Sequence, residues 1–373
     1  MTPNFRGIID STLREGEQTP GVRFSQGQRY EIIRQLSLVG VEELELGVAS
    51  AKNSHLQELF AFARQTTKGR QSLGLWCRCR REDIAFAATC RPDVLSLSIP
   101  TSDLHISQRL QKDRAWVLQT LPRAVAQARD SGIPFISLGL EDATRADPEF
   151  LCQLARAAAD CGVQRLRLAD TVGIGSPATI VSMVQMLRQQ SGLPCGVHTH
   201  NDFGMATANA IAALEAGASW IDATILGLGE RAGNCRLEEA IAFLCLRKGM
   251  GHYQTHLLPA LCQTVSQAAG IAIACNHPVI GEAIFTCETG LHLHGLTVNP
   301  DTYEPYSPNK VGASRTMRFG HKSGKRALCN HLAALGLAID DSQAETLAGH
   351  IRNLPGLPAQ GLSDPELLRL ATP

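Results

Sequence analysis

Short apolar segments alternate with longer segments of helical spacing along most of the chain. Eight of the short segments are rich in β-branched residues and end in polar ones, as buried strands do. They cover residues 7–13, 42–47, 72–79, 94–100, 135–142, 165–173, 196–201 and 220–228. Helical spacing lies between them, for example over residues 26–39, 114–131, 148–161, 177–190, 205–216 and 237–248. This alternation predicts βαβ units and a parallel sheet.

The number of units favours an α/β fold closed into a (β/α)8 TIM barrel. An open doubly wound sheet would carry a GxGxxG segment after its first strand, and the chain has none there. Beyond residue 251 the pattern becomes helical, then irregular with many Gly, Pro and His residues over 276–325, then weakly helical. We therefore expect a barrel over residues 1–260 and a smaller, mostly helical C-terminal region over 261–373.

Charge and cysteine content narrow the possible partners. The 35 basic residues balance 35 acidic ones, so no net field attracts nucleic acid or an anionic membrane surface, and small molecules are the expected partners. The 12 cysteines are scattered without a CxxC pair, which favours a reducing cytoplasm over a disulfide framework. The first residues lack the features of a signal peptide, and no apolar run is long enough to cross a bilayer. We expect a cytoplasmic protein.

Polar and ionisable residues follow the predicted strands. In a barrel of this kind the reactive groups lie at the C-terminal ends of the strands, whereas a purely structural barrel would have mostly apolar or neutral residues there. The residues at these positions are Arg14, Glu15, Glu45, Arg78, Glu141, Asp142, Asp170, Thr171, His198, His200, Glu230 and Asn234. This set predicts a catalytic face.

Two histidines end the seventh strand in the segment "VHTHNDFG". Residues i and i+2 of a strand share one side, so His198 and His200 both face the barrel mouth if Thr199 faces the helices. With a nearby carboxylate they would form a metal site with open positions, although a hydrogen-bonded pair without metal would have the same spacing. Glu15 supports the metal interpretation, because the first and seventh strands are only one strand apart in a closed ring of eight.

The segment "LREGE" departs from strand geometry. A regular strand would send Arg14 and Glu15 to opposite sides, and Gly16 makes a departure easy. Taken alone, the segment is also compatible with a solvated loop of charges. The Gly-rich segment "GLGERAGN" after the eighth strand is compatible with a phosphate site for a cofactor such as coenzyme A, or with a tight turn, and its Asn234 could reach the metal region.

Eight ordered motifs together resemble a known family. They are "DSTLREGEQTPG", "EELELG", "EDATRADPEF", "LADTVG", "HTHNDFGMATANAIAALEAGA", "GLGERAGN", "GEAIFTCETGLHLHGL" and "GHKSGKRAL". Between about residues 7 and 328 the chain resembles the DRE-TIM metallolyases, and within them the homocitrate synthases of the nitrogen-fixation type. The resemblance implies a TIM barrel enzyme, an acyltransferase that condenses acetyl-CoA with 2-oxoglutarate to give homocitrate and free coenzyme A.

The resemblance also implies roles for individual residues. Glu15, His198 and His200 would bind a divalent cation (Mg²⁺, Mn²⁺, Zn²⁺ or Co²⁺), with Asn234 as a further ligand or neighbour. Arg14 would polarise the keto oxygen, and the other substrate-binding positions would be Gln18, Glu45, Arg78 and Thr171. The catalytic set would be Arg14, Glu141, His292 and Tyr303, of which the last two would reach the active site from the partner subunit of a homodimer. By composition alone, His292 and Tyr303 are ordinary residues of irregular polar segments.

The chain departs from its relatives at some positions. Many relatives have Asp where this chain has Glu15, and Cys287 replaces a histidine. The arginine that follows the fourth strand in lysine-pathway homocitrate synthases has no clear counterpart near "PTSDLHIS". Arg78 or His105 would then meet the distal carboxylate of the 2-oxo acid. The chain also ends where 2-isopropylmalate synthases continue into a regulatory domain, so we expect no feedback by leucine through that domain.

Other functions share much of this pattern. Synthases of 2-isopropylmalate, citramalate and phosphonomethylmalate have the same polar set, and a branched aliphatic substrate would need Leu, Ile or Val at the far end of the pocket. A barrel that binds metal and ligand without turnover is the alternative from a different class. It would have no need of His292 and Tyr303.

Overall fold

The chain folds into two compact units, Met1–Ala272 and Ile273–Pro373. The computed structural model describes residues 5–288, 292, 295–296, 298–358 and 361–372. In the first unit, eight parallel strands follow one another in sequence order and close into a barrel, because the eighth strand pairs with the first. Helices lie between the strands. The predicted TIM barrel is therefore confirmed.

The elements of the first unit lie close to the predicted positions. The strands are β1 (Gly7–Asp10), β2 (Glu43–Val48), β3 (Ser72–Arg78), β4 (Val94–Pro100), β5 (Phe135–Glu141), β6 (Arg165–Asp170), β7 (Cys195–Thr199) and β8 (Trp220–Ala223). The helices are α1 (Gln26–Val39), α2 (Leu56–Thr67), α3 (Arg81–Cys90), α4 (Arg114–Asp130), α5 (Pro148–Asp160), α6 (Pro177–Ser191), α7 (Ala206–Glu215), α8 (Leu237–Ala242) and α9 (Leu258–Ala269).

Local signals in the sequence fix the helix ends. Ser25 and Gln28 form a capping box at the start of α1, and the helix stops at Gly40, whose φ of 96° is accessible to glycine without strain. Asp147 caps α5 through its side chain, and Pro148 occupies the first turn, where its missing N–H costs nothing. These ends set the lengths of the crossover connections and so the position of each following strand.

Strands β1, β6 and β8 end earlier than the apolar pattern predicted, at Asp10, Asp170 and Ala223. The Asp10 carboxylate accepts the N–H of Thr12 at 3.1 Å. The Asp170 carboxylate accepts the N–H groups of Ile174 and Gly175 at 3.1 and 3.0 Å. Because each carboxylate draws the next residues into a turn, the chain leaves the sheet at the aspartate.

Two π-helical segments differ from the predicted helices. The predicted helix 237–248 is α8 followed by the π-helix Phe243–Arg247. A second π-helix, Leu104–Arg109, follows β4 on the side of the barrel where the strands end. Such segments are rare and often occur at functional sites.

The barrel interior contains a buried ion pair below the strand ends. Arg165 on β6 donates from both terminal nitrogens to Glu43 on β2, at 2.8 and 2.9 Å, and from Nε to Ser137 at 3.0 Å. Its guanidinium lies 5.5 Å from the ring centre of Phe135 and 4.9 Å from that of Trp220. We call Arg165 and Glu43 the lower pair. Both are buried, so each depends on the other to compensate for the loss of hydration.

The second unit has its own small core. Its described elements include the two-residue strands β9 (Thr286–Cys287) and β10 (Thr316–Met317) and the helices Lys325–Ala334, Asp341–Arg352 and Asp364–Ala371. The buried apolar residues of this core include Phe319, Leu328, Leu332, Ile351 and Leu367. Among the residues that the structure describes in either unit, no helix is long and apolar enough to cross a membrane.

Candidate active site

A cavity of about 580 Å³ opens at the C-terminal ends of the strands. Its lining includes many predicted site residues, namely Arg14, Glu15, Gln18, Arg78, Glu141, Thr171, His198 and His200. Two arginines that the sequence analysis did not single out, Arg109 and Arg167, also line it. Glu45 and Asn234 are buried outside the lining, and His292 and Tyr303 belong to the second unit.

Glu15, His198 and His200 converge on one point of the cavity. Each offers a ligand atom, and these atoms all lie within 4.8 Å of one another. Glu15 Oε1 lies 3.4 Å from His200 Nε2, and Glu15 Oε2 lies 3.8 Å from His198 Nε2. We call these three residues the triad. Two imidazoles and one carboxylate on one side of a point are a common set of ligands for a divalent transition metal.

A tight turn after β1 brings Glu15 to this point. The carbonyl oxygen of Ser11 accepts the N–H groups of Arg14, Glu15 and Gly16 at 3.0, 2.7 and 3.3 Å. Gly16 does not take a positive φ, contrary to the conformational reason that the sequence suggested for it. Its missing side chain matters instead for packing, since a Cβ at this position would lie 3.3 Å from the Cβ of Leu228.

Hydrogen bonds to the outer nitrogens orient both histidines. Nδ1 of His198 lies 2.9 Å from the Asp222 carboxylate, and Nδ1 of His200 lies 3.2 Å from the carbonyl oxygen of Asp170. Thr199 donates to the carbonyl of Ala206 in α7, so it faces the helices as the alternation predicted. With the proton held on Nδ1, each Nε2 presents a lone pair to the side of Glu15, which is the arrangement that metal-binding histidines have.

Burial keeps the two imidazoles neutral. It lowers the pKa of His198 to about 3, outweighing the opposite effect of the Asp222 carboxylate. Burial is also the main reason why the pKa of His200 is lowered, and the positive charge of Arg231 adds to it. A neutral imidazole is the form that binds metal, so both histidines are ready to ligate without losing a proton.

Asn234 is held beside His200 by the loop that follows β8. Its Nδ2 donates to the carbonyl of Leu228 at 2.8 Å, and its backbone forms an antiparallel bridge with His200. A Cβ on Gly229 would lie 2.0 Å from Nδ2, so a side chain at this position would displace the amide of Asn234. The amide oxygen of Asn234 is buried, and the described residues offer it no hydrogen-bond partner. An unpaired buried oxygen next to the triad fits a bound cation.

Arg14 is fixed beside the triad by two carboxylates. Its Nε donates to Glu45 at 2.6 Å, and its Nη1 forms a short ion pair with Glu15. Burial alone would raise the pKa of Glu45, but the guanidiniums of Arg14 and Arg167 outweigh it and hold that pKa well below its usual range. Glu45 is therefore a buried anion behind Arg14 and has no exposed surface in the cavity to offer a substrate.

The opposite side of the cavity carries two more arginines. Arg109, from the π-helix after β4, donates to both oxygens of Glu141 at 2.8 and 2.7 Å. Arg78, at the end of β3, donates to Asp83 at 2.6 and 3.2 Å and is half exposed. No clear counterpart was predicted for the arginine that follows the fourth strand in lysine-pathway homocitrate synthases, but Arg109 lines that part of the cavity. Thr171 lies at the rim and accepts the N–H of Asp142 at 2.8 Å.

His292 and Tyr303 contact each other within the second unit. Their ring centres are 4.2 Å apart, with 37° between the planes, and both side chains are exposed. Cys287, which replaces a family histidine, lies in β9 and packs against the core of the same unit. The residues that the resemblance assigned to the partner's site are therefore at the surface of their unit, while Cys287 has a packing role.

Comparisons with known proteins relate both units of the chain to known families. Residues 6–265 match the HMGL-like family, and residues 279–356 match the homocitrate synthase post-HMGL domain-like family. The chain is 39% identical over 325 residues to a homocitrate synthase of Frankia alni, covering 86% of this chain and 91% of that protein. It is 36% identical over 365 residues to 2-isopropylmalate synthase 2 of Caldanaerobacter subterraneus subsp. tengcongensis, covering 97% and 94%.

A solved structure extends the likeness to the fold. The hydroxymethylglutaryl-CoA lyase of Pseudomonas aeruginosa matches with a TM-score of 0.65 and 18% identity, over 73% of this chain and 96% of that chain. The matched share corresponds in size to the barrel unit.

Proposed function

Since this chain belongs to the HMGL-like family, we propose that it is a metal-dependent homocitrate synthase, which condenses acetyl-CoA with 2-oxoglutarate and hydrolyses the thioester to release coenzyme A. The observation that carries the proposal is the neutral, oriented triad with Arg14 fixed beside it in one cavity. This combination serves a reaction in which negative charge develops on a keto oxygen.

The triad and Asn234 would hold the cation. Bound there, a divalent cation supplies Lewis-acid polarisation of the keto group of the 2-oxo acid. Arg14 places a second positive charge at the same oxygen, and its effect is large because the site is buried and its guanidinium is already oriented by Glu45. Asp222 and Asp170 keep the two imidazoles in position throughout.

The attacking carbon is the methyl group of acetyl-CoA, which must lose a proton. His292 is the proposed base, because histidine is the side chain that most often removes a proton in general base catalysis, and Tyr303 would orient it through the ring contact in the second unit. Glu141 would assist from the cavity wall. Hydrolysis of the thioester then makes the condensation irreversible.

Two arginines favour a dicarboxylic substrate. A buried carboxylate needs a charged or multiple hydrogen-bond partner, and Arg78 and Arg109 both line the cavity. A branched aliphatic substrate would instead require apolar side chains at that end. The competing candidates are 2-isopropylmalate and citramalate synthases, which also occur among the similar proteins, and a phosphonomethylmalate synthase.

The decisive experiment follows thiol release from acetyl-CoA with a panel of 2-oxo acids. We expect the highest rate with 2-oxoglutarate, its loss on chelation and its return on adding a divalent cation. A clear preference for 2-oxoisovalerate or pyruvate would refute the proposal that 2-oxoglutarate is the substrate. Ligand binding by calorimetry without thiol release for any substrate would favour the non-catalytic alternative.

Variants at the two arginines test the substrate in more detail. If one of them binds the distal carboxylate, Arg109→Gln or Arg78→Gln raises the KM for 2-oxoglutarate by about tenfold or more, since hydrogen bonds to charged groups contribute about 1.5–3 kcal/mol. The KM for pyruvate, which has no distal carboxylate, is the internal control. Equal effects on both substrates would contradict a specific role.

We also propose a homodimer in which the C-terminal region of one subunit completes the site of the other. Three large apolar side chains in the segments after β4, β6 and β7 are exposed at the end of the barrel that carries the cavity, as a surface covered by another subunit would be. They are those of Leu104, Ile174 and Phe203. Mixing the inactive variants Arg14→Ala and His292→Ala should restore about a quarter of the activity if subunits exchange at random. No recovery from a verified heterodimer would refute the shared site.

A further inference from the structure

We propose that Arg167 is the positioning residue that holds the two halves of the active site in register, Arg14 on one side and His198 on the other. The inference rests on the proposed function for its catalytic consequence and on the described contacts for its geometry. Arg167 is buried on β6 and was not among the residues expected at the site.

The guanidinium of Arg167 binds two carboxylates from different strands. Its Nη1 and Nη2 donate to Glu45 on β2 at 2.7 and 3.3 Å. Its Nε and Nη2 form short ion pairs with Asp222 on β8. Ser96 is a more distant neighbour of Nη1, at 3.5 Å. These contacts occupy the guanidinium, so Arg167 has little donor capacity left for a substrate although it reaches the cavity lining.

Each of these two carboxylates also accepts a hydrogen bond from one residue of the active site and so limits its position. Glu45 uses the oxygen Oε2 to accept from Arg14 at 2.6 Å. Asp222 uses Oδ2 to accept from Nδ1 of His198 at 2.9 Å. A single planar cation therefore fixes the spacing between the guanidinium that would face the keto oxygen and an imidazole that would bind the metal. We call Arg167, Glu45 and Asp222 the bridge.

Charge explains why an arginine is needed at this place. Glu45 and Asp222 are two buried carboxylates. In the described contacts, the cation left to compensate them without Arg167 would be Arg14, which already contacts Glu45. Arg14 would then be drawn from its place beside Glu15 towards an uncompensated anion. A lysine would keep the charge but not the geometry, because one ammonium cannot reproduce a planar fork that serves two carboxylates in fixed directions.

The lower pair provides a matched control in the same strand. Arg165 is as buried as Arg167, also makes two hydrogen bonds to a glutamate of β2, and lies two residues earlier on the same face. Its partners Glu43 and Ser137 contact none of the triad residues in the described hydrogen bonds. If replacing any buried arginine of β6 lowered metal affinity or activity, substitutions at Arg165 and at Arg167 would therefore have the same effect.

The test compares Arg167→Lys with Arg165→Lys in the full-length protein. The metal affinity of the chelator-treated protein is measured by titration with Co²⁺ against a competing indicator, and kcat and KM are measured for 2-oxoglutarate. We expect Arg167→Lys to weaken Co²⁺ binding by about tenfold or more, the size found when partners of metal ligands are removed, and to lower kcat/KM. Arg165→Lys should lower the melting temperature comparably but change both quantities less than twofold.

Two isosteric variants separate the contact of the bridge with His198 from its contact with Arg14. Asp222→Asn should weaken Co²⁺ binding more than it raises the KM, while Glu45→Gln should raise the KM for 2-oxoglutarate more than it weakens Co²⁺ binding. If Arg167→Lys does not fold, the smaller cross-effects of these two variants decide the question, because Arg167 is the described residue that joins Asp222 to Glu45. No change of KM in Asp222→Asn together with no change of Co²⁺ binding in Glu45→Gln overturns the proposal. Unchanged Co²⁺ affinity and KM in folded Arg167→Lys, or equal losses in Arg165→Lys, would also overturn it. If the wild type binds Co²⁺ but shows no turnover, the proposed function fails. The Co²⁺ affinities of the variants then still test whether the bridge positions His198.

Discussion

Between pH 8 and 5, the affinity of the triad for a divalent cation should fall much less than the affinity of a site with two ordinary histidines. Protons compete with metal for the imidazoles, so the pKa of each histidine in the metal-free protein sets the loss of affinity. Burial lowers the pKa of His198 to about 3. A lowered pKa means that the neutral, metal-binding form persists as the pH falls, and His198 should contribute almost no loss above pH 5.

The expected size follows from simple titration. For a histidine with the ordinary pKa of about 6.5, the protonated form exceeds the neutral form by about thirtyfold at pH 5. Two such ligands would therefore lower the apparent metal affinity by about a thousandfold. Because His198 stays neutral, at most His200 contributes, which limits the loss to about thirtyfold. The pKa of His200 is itself lowered, so the measured loss should be smaller still.

The assay is a Zn²⁺ titration of the chelator-treated protein against a competing indicator, repeated at several pH values. Circular dichroism at each pH controls for unfolding, and a free bis-histidine peptide gives the behaviour of unburied ligands. A thousandfold loss of affinity by pH 5 in folded protein would refute the reasoning, because it would mean that both imidazoles titrate as they do in water.

Other predictions concern stability and the further ligand. Replacing Arg165 by Met leaves Glu43 buried without its cation and should lower the free energy of unfolding in urea by about 3–5 kcal/mol, whereas a loss below about 1 kcal/mol would show that the site can relax. Asn234→Ala removes the unpaired amide oxygen and should weaken Zn²⁺ binding by about tenfold, while unchanged affinity would exclude it from the metal's surroundings. As the pH falls from 6.5 towards 3, His198 gains a proton in the unfolded chain but stays neutral in the folded chain, because its folded-state pKa is about 3. This group should therefore lower the free energy of unfolding of the metal-free protein by up to about 1.4 kcal/mol per pH unit. Urea midpoints that do not fall in acid, corrected with a His198→Gln control, would contradict this.

Much of the barrel could be predicted because its signals are local. The apolar runs, the helix caps at Ser25 and Asp147 and the number of repeats gave the strand order, and the resemblance to the DRE-TIM metallolyases is confirmed by the family match. Strand ends were less predictable, since Asp10 and Asp170 end β1 and β6 through hydrogen bonds to residues further along the chain.

The site was predictable only where the rule for strand ends applied. It located the triad residues, but Arg167 lies below the strand end and Arg109 lies in a π-helix, where the ordinary helical period does not indicate which way a side chain points. A signal for Arg167 was present in the sequence. The segments "ELEL" of β2 and "RLRL" of β6 each place two like charges on one strand face, and complementary charges with equal spacing can meet inside a barrel. The functional roles of His292 and Tyr303 remain predictions, because resemblance alone supports them.

The lower pair also limits how the sequence of this barrel can diverge over evolution. Arg165 and Glu43 are 122 positions apart along the chain, yet neither tolerates the interior without the other. A descendant that loses one charge would be selected to lose its opposite as well, or to revert. In an alignment of distant descendants, positions 43 and 165 should therefore change together, from an ion pair to two apolar residues of similar volume. Sequences with only one of the two charges should be scarce.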